Sequence, residues 1–290
     1  MSLGVLGDLQ EAVSSLSEGS DFLPNDHAQK AESLNSLGVA LHIRFECLGE
    51  LANIGKAIAA QQQAVNLTPD DDPDKAPRLT NLGNSFWKRF ERLGELADLD
   101  TAMAVQQQAV NIIPNHHPDK AKCLSNLGNS FLTRFGRLGE LTDLDKAISV
   151  QRQTIDITPD GHPGKAGYLN NLGISISYRF SKLGKLTDLD MALATLQRAV
   201  NLTPDGHPTK AGHLNSLGLS FRTRFERVGE IADLDNAIAA QQRTVHLTPD
   251  SHPNKAIYFS SLGGSFIRRF ERLGQVTDVD KAVTALQPSH

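Results

Sequence analysis

Cysteine is nearly absent from this chain. Cys47 and Cys123 are the only two in 290 residues, far apart and without companion ligands. A disulfide framework and a cysteine zinc site are thereby excluded, and both residues read as small apolar side chains. Aromatic residues are scarce too, at 6%, with one tryptophan. Basic residues are not in excess: 29 Lys and Arg stand against 33 Asp and Glu, a net charge of −4. That balance argues against a nucleic-acid partner. No run approaches the ~18 uninterrupted apolar residues of a membrane helix, and the N-terminus lacks the basic-then-apolar order of a secretion signal. A cytoplasmic protein with no membrane partner is expected. With 39% apolar and 21% charged residues, the chain has ample material for a core, which excludes disorder.

What the sequence has in abundance is repetition. Leu-Gly followed by a polar stretch and Arg-Phe recurs at Gly38, Gly83, Gly128, Gly173, Gly218 and Gly263, each 45 residues from the last. Arg44, Arg89, Arg134, Arg179, Arg224 and Arg269 keep the same spacing, as do Pro24, Pro69, Pro114, Pro159, Pro204 and Pro249. One unit is being copied.

Within the second unit, Leu79, Leu82, Gly83, Phe86, Phe90 and Leu93 fall three or four residues apart, the stripe of an α-helix. This helix A is predicted over about 76–93 and stops where Gly94 can take the left-handed conformation. Asp98 reads as the N-cap of a helix B over about 99–112, whose apolar face is Leu99, Ala102, Met103, Ala109, Val110 and Ile112. The Pro-Asn-His-His-Pro of residues 114–118 links helix B to the next helix A. Neither helix can bury its stripe alone, so neighbours must stack.

These residues resemble the tetratricopeptide repeat (TPR), a 34-residue unit with a Trp, Leu-Gly, Tyr, Ala, Phe, Ala, Pro pattern. Leu79 stands for the tryptophan, Leu82-Gly83 for Leu-Gly and Phe86 for tyrosine. Ala102 and Ala109 stand for the helix-B alanines, and Pro114 for the closing proline. About seven of the extra residues fall between Gly83 and Ala102, close to two helical turns, so helix A lengthens without rotating its stripe away from helix B. The Leu-Asn-Asn-Leu-Gly of residues 169–173 is similar to the long-period, kinesin-light-chain-like subgroup found in fungal multi-repeat signalling proteins. The resemblance implies an all-α fold, a right-handed α-solenoid (superhelix) of antiparallel helix pairs. One solenoid is expected over 1–290, with an orphan helix B and exit loop at 7–31. Full repeats follow at 31–75, 76–120, 121–165, 166–210 and 211–255, then an incomplete repeat at 256–290. That makes six A and seven B helices.

Such solenoids present helix A along a concave surface. A helical wheel puts positions 80, 84, 87, 88 and 91 on that face, about 130° from the buried stripe, and there the copies differ. Trp87, for example, becomes His42, Leu132, Ser177, Arg222 and Ile267. Asparagine both donates and accepts, so a row of asparagines suits the backbone of an extended peptide. The predicted groove residues are Asn35, Asn81, Asn84, Asn126, Asn129, Asn170, Asn171 and Asn215, with Trp87 and Tyr178 as side-chain anchors. The bland reading is a solvated polar position at each helix start. Lysine never occupies the position of Thr80, which argues against the carboxylate-clamping chaperone subtype.

Arg89 lies on the far side of the wheel from Thr80, which favours a structural ion pair with a helix-B acid such as Asp100, or carbonyl capping. The lysines opening each helix A, Lys75, Lys120, Lys165, Lys210 and Lys255, are expected to touch the preceding loop. The histidines before proline (His117, His162, His207, His252) sit one repeat apart, too far to share a metal, and read as loop hydrogen-bonding residues. No metal, cofactor or catalytic constellation is expected. The function expected is a non-catalytic scaffold for a protein or peptide ligand. The alternative is a self-associating array working through uncapped ends, or part of a larger signalling protein whose effector domain is elsewhere. A stack of near-independent units should lose stability in steps: ending the chain at residue 255 should lower the urea midpoint while circular dichroism retains the remaining helicity. Loss of all helix on that single trim would contradict the repeat reading.

Overall fold

The computed structural model describes residues 3–25, 27 and 29–286, with side chains from residue 7. Gln287 to His290, expected to lie within the last helix B, are outside the described residues. Thirteen α-helices and no strand occupy the described residues, the six A and seven B helices expected. The A helices are α2 (Lys30–Leu48), α4 (Lys75–Leu93), α6 (Lys120–Leu138), α8 (Lys165–Leu183), α10 (Lys210–Val228) and α12 (Lys255–Leu273). The B helices are α1 (Leu3–Phe22), α3 (Leu51–Leu67), α5 (Leu96–Ile112), α7 (Leu141–Ile157), α9 (Leu186–Leu202), α11 (Ile231–Leu247) and α13 (Val276–Leu286). They form two compact units, one ending at Ile157 and holding α1–α7, the other starting at Thr158 and holding α8–α13. Each unit is a stack of antiparallel helix pairs. No helix among the described residues is long and apolar enough to cross a membrane.

Every helix A ends as its glycine allows. Gly49, Gly94, Gly139, Gly184, Gly229 and Gly274 have φ between 68° and 82°, and each N–H donates to the phenylalanine carbonyl four residues back at 2.7 Å, closing the helix in a left-handed cap. Helix B starts earlier than the sequence suggests. Its N-cap is Glu95, in extended backbone and with no side-chain capping bond. Asp98, expected as the cap, lies inside the first turn, and its carboxylate is engaged by Arg89. Leu93 and Ile112, expected on buried stripes, are 45% and 38% exposed, since each sits in a last turn where its helix is leaving its partner.

The second glycine of each repeat works differently. At Gly83 a Cβ would come within 2.8 Å of Gln106 Cγ and 3.4 Å of the Ala102 carbonyl. Gly38, Gly128 and Gly218 meet Gln61, Gln151 and Gln241 in the same way, and Gly173 and Gly263 meet Leu196 and Leu286. Helix A thus approaches helix B as closely as an absent side chain permits. Leu79, Leu82, Phe90, Leu99 and Ala102 close over the contact with at most 1% exposure.

The recurring lysines join one pair to the next. Lys75 Nζ donates to the Val65 and Thr68 carbonyls at 3.0 and 2.7 Å, and Lys120 does so to Val110 and Ile113 at 2.7 and 2.8 Å. Lys210 holds Val200 and Thr203, and Lys255 holds Val245 and Thr248. Each lysine caps the carbonyl end of the preceding helix B, where a cation meets the negative pole of the dipole. That outweighs its mildly unfavourable place at the start of helix A. In the loop between, the Nδ1 of His27, His117, His162, His207 and His252 accepts the backbone N–H two residues on. Asp72 does the same with Oδ1 at 2.8 Å, as in an Asx turn.

Two glycines of α6 should respond in opposite senses. Gly128→Val forces a side chain onto Gln151 and should cost about 2 kcal/mol or more. Gly136→Ala, at an exposed helical site with nothing within 4 Å, should gain about 1 kcal/mol. Urea denaturation of the two variants beside the parent measures both.

Candidate functional site

In the first unit, α2, α4 and α6 lie side by side and bring the predicted asparagines together across repeats. Asn81 Nδ2 donates to Asn35 Oδ1 at 3.1 Å, and Asn126 Nδ2 to Asn84 Oδ1 at 3.0 Å. Below the second pair lies a cavity of about 260 Å³ lined by His42, Glu46, Asn84, Trp87, Lys88, Gln106, Asn126, Asn129 and Ser130. Glu46 and Lys88 are 3.5 Å apart and Lys88 and Glu91 2.9 Å. His42 Nδ1 shares a hydrogen bond with Ser85 Oγ at 2.8 Å. Burial, ahead of the nearby Lys88, pushes the His42 imidazole below its ordinary pKa against the pull of Glu46. Trp87 is half-buried. The position of Thr80, by contrast, is not on an open face here. Thr80 and Ser125 are buried, and Thr80 Oγ1 donates to the Ala76 carbonyl and meets Cys123 Sγ at 3.2 Å. Neighbouring A helices close over the row that the isolated helical wheel leaves open.

In the second unit a larger and more apolar cavity of about 380 Å³ lies between α8 and α10, lined chiefly by Ile174, Ser177, Tyr178, Asn215, Leu219 and Ser220. Tyr178 is 50% exposed, and Ser177 and Ser220 hydroxyls meet at 3.0 Å. Asn170, Asn171 and Asn215 are half-buried. Asn215 alone of these three lines the cavity, and the Oδ1 atoms of Asn170 and Asn215 are buried without a hydrogen bond. Sequence reasoning missed His42, Gln106 and a row of buried serines, Ser85, Ser130, Ser175, Ser220 and Ser265. The serines recur every 45 residues, a signal that was there to be read.

The arginine ladder does not belong to this face. Arg89 grips Asp98 with two bonds of 2.7 and 2.5 Å, and Arg134 and Asp143, Arg179 and Asp188, Arg224 and Asp233, and Arg269 and Asp278 repeat the fork. The structural ion pair is therefore present, but its acid within the repeat is Asp98. Asp100 instead accepts from Arg134 of the following repeat at 2.9 Å. The first repeat has Asn53 and Gly55 in place of these two acids. A fork-to-fork pair fixes helix A against helix B with directional bonds.

Compared by sequence, the chain matches no family model and no curated protein. Compared by structure, it resembles several solved repeat proteins. A Podosopora anserina kinesin-light-chain candidate of nearly identical TPR-like repeats superposes with a TM-score of 0.54 at 15% identity, over 75% of this chain and 98% of that one. The chain has the tetratricopeptide-repeat fold. BtubC (BKLC) from P. vanneervenii shares that fold with a TM-score of 0.54 at 16% identity, over 96% of this chain and 88% of its own. YrrB, described as a TPR protein with an unusual peptide-binding site, gives 0.51 at 15% identity, over 81% and 98%.

On this repeat scaffold the loop histidines His117, His162, His207 and His252 are engaged in structural bonds. Among the described residues no group of three or more His, Cys, Asp or Glu is placed to hold a metal. His213 is 6% exposed, and its Nδ1 meets Thr203 Oγ1 at 2.9 Å. Burial, with smaller contributions from His207 and Lys210, drives its pKa from 6.5 down to about 4. The fold thus favours the neutral ring. Its contribution to stability is full above pH 6.5 and is lost as pH falls from there toward 4. Tyrosine stands at the equivalent positions 168 and 258, so His213→Tyr should flatten the fall of thermal midpoint between pH 6.5 and 4. A parent and variant with parallel pH profiles would contradict this.

Proposed function

We propose that the chain is a non-catalytic scaffold that binds an extended peptide segment across the exposed face of its A helices. The observation that carries this is the head-to-tail pairing of asparagines between successive repeats, Asn81 with Asn35 and Asn126 with Asn84. Each pair spends one N–H and one carbonyl on itself and keeps others of both kinds, the complement of a peptide unit. The face also varies where the scaffold is constant, as a specificity surface does. Its two cavities differ in kind. The one in the first unit is ringed by amides and charges, and the one in the second is floored by Ile174 and Leu219 with Tyr178 at its edge. Taken unit by unit, the first cavity suits a polar side chain and the second an apolar one. YrrB's peptide-binding site supports the reading by likeness of fold.

A peptide-array screen followed by calorimetry tests it. Asn84→Ala with Asn126→Ala should weaken the best peptide by roughly tenfold, the worth of one or two lost hydrogen bonds, and leave the mass seen by light scattering unchanged. Unaltered peptide binding would end the groove reading. A change in oligomer size instead would favour the assembly alternative.

A further inference from the structure

Three polar atoms on residues that line the first unit's cavity have neither solvent nor a hydrogen-bond partner: Trp87 Nε1, Gln106 Oε1 and Ser130 Oγ. Gln106 and Ser130 are 3% and 1% exposed. Gln61, Gln151 and Gln241, with Ser175 and Ser265, carry unpartnered atoms at equivalent places, so what sets this cavity apart is the unpartnered indole N–H added to them. A group that joins the three would relieve the cost of leaving them unpartnered. Their chemistry is specific. An indole N–H only donates, a carboxamide oxygen only accepts, and a hydroxyl does either. A primary carboxamide, with one carbonyl oxygen and two N–H donors, is a side-chain group that answers all three at once. We propose, resting on the peptide-binding reading, that this cavity is a side-chain pocket for an asparagine or glutamine of the bound segment. Its carbonyl accepts from Trp87 Nε1 while its amide donates to Gln106 Oε1 and Ser130 Oγ. A glutamate can accept from Trp87 Nε1 and the Ser130 hydroxyl but has no proton for Gln106 Oε1, and it sets its charge against that oxygen and Glu46. A leucine leaves all three atoms unanswered.

The chain itself supplies the comparison. Ser85 and Ser220 are partnered from within, by His42 and Ser177, the residues 43 positions earlier on the preceding helix A. The same offset sets Trp87 beside Ser130, yet Ser130 Oγ and Trp87 Nε1 are both left without a partner. Ser175 and Ser265 are unpartnered as well, so the open serine is common to several repeats and the unpartnered indole N–H beside it is what is particular to Ser130. All three atoms are closed to water, so a ligand reaches them only if the half-buried indole turns. Trp87 is the only tryptophan, and its fluorescence reports that turn directly.

The test titrates blocked Gly-Gly-Gln-Gly-Gly into the full chain, beside the same peptide with Glu or Leu at the centre, following Trp87 emission and, in parallel, calorimetric heat. Expected is a saturable response to the glutamine peptide and binding of the other two weaker by roughly tenfold or more, because a site built for hydrogen bonds rejects groups that cannot make them. Gln106→Leu should abolish the preference without loss of thermal stability, since Leu196 and Leu286 occupy that place beneath Gly173 and Gly263. Equal responses to the three peptides, no saturable response by either method, or a Gln106→Leu variant that keeps the preference would each overturn the pocket assignment. Array peptides that still depend on Asn84 and Asn126 while showing no preference here would overturn the pocket and leave the groove standing. Failure of both would remove the peptide reading itself.

Discussion

The close approach of helix A to helix B at the Leu-Gly pair is the constraint on which the rest of the structure depends. With no side chain on Gly83, the Gln106 stem and the Ala102 carbonyl come to where a Cβ would stand. Ala102 must then be small, and Leu82 and Leu99 are shut away from solvent on either side. Helices packed this closely tolerate little rotation. At the far end of the pair the Arg89–Asp98 fork lies just beside the left-handed turn at Gly94. Contact at one end and ion pair at the other make the second to sixth repeats stiff hairpins, while the first, with Asn53 in place of the acid, keeps the contact alone.

Joining hairpins is a different problem, solved with polar groups. A helix end leaves carbonyls without partners, and the exit from helix B is where the next repeat must attach. The lysine that opens the following helix A supplies its ammonium to two of those carbonyls, buried where it does so. Histidine or aspartate in the loop holds the amide that starts the new helix. Two small electrostatic devices therefore fix the angle between neighbours, as a solenoid held by nearest-neighbour interfaces requires. None of them uses the outward face of helix A, which is why that face is free to change from copy to copy.

That freedom gives the functional surface its character. A constant serine is buried in each of the second to sixth repeats; within the units, His42 and Ser177 satisfy the serine of the following repeat, whereas Trp87 does not. Local hydrogen-bond balance is thereby tuned repeat by repeat without disturbing the scaffold. The asparagines paired between helices hold one another's orientation, which would lessen the entropy lost on binding the peptide proposed above.

Much of this was legible in the sequence. The 45-residue period, the apolar stripes at helical spacing, the glycine stops and the number of helices all follow from local rules, because a helix's period and its left-handed cap depend only on nearby residues. The recurrence of asparagine on helix A was legible as well, but the wheel of one helix put the row of Thr80 on an open face, and neighbouring helices bury Thr80 and Ser125. What only tertiary structure decided lies between helices. Asp98 is claimed by an arginine nine residues back, and Thr80 is covered by a neighbouring repeat. The recurrent lysine finds its carbonyls on another helix, and a serine, a glutamine and the single tryptophan from three elements come to share one cavity. A sequence read by period gives the direction in which each side chain leaves its own helix. What that side chain meets depends on how closely the next helix packs, which is set by the summed contacts of many residues distant in the chain.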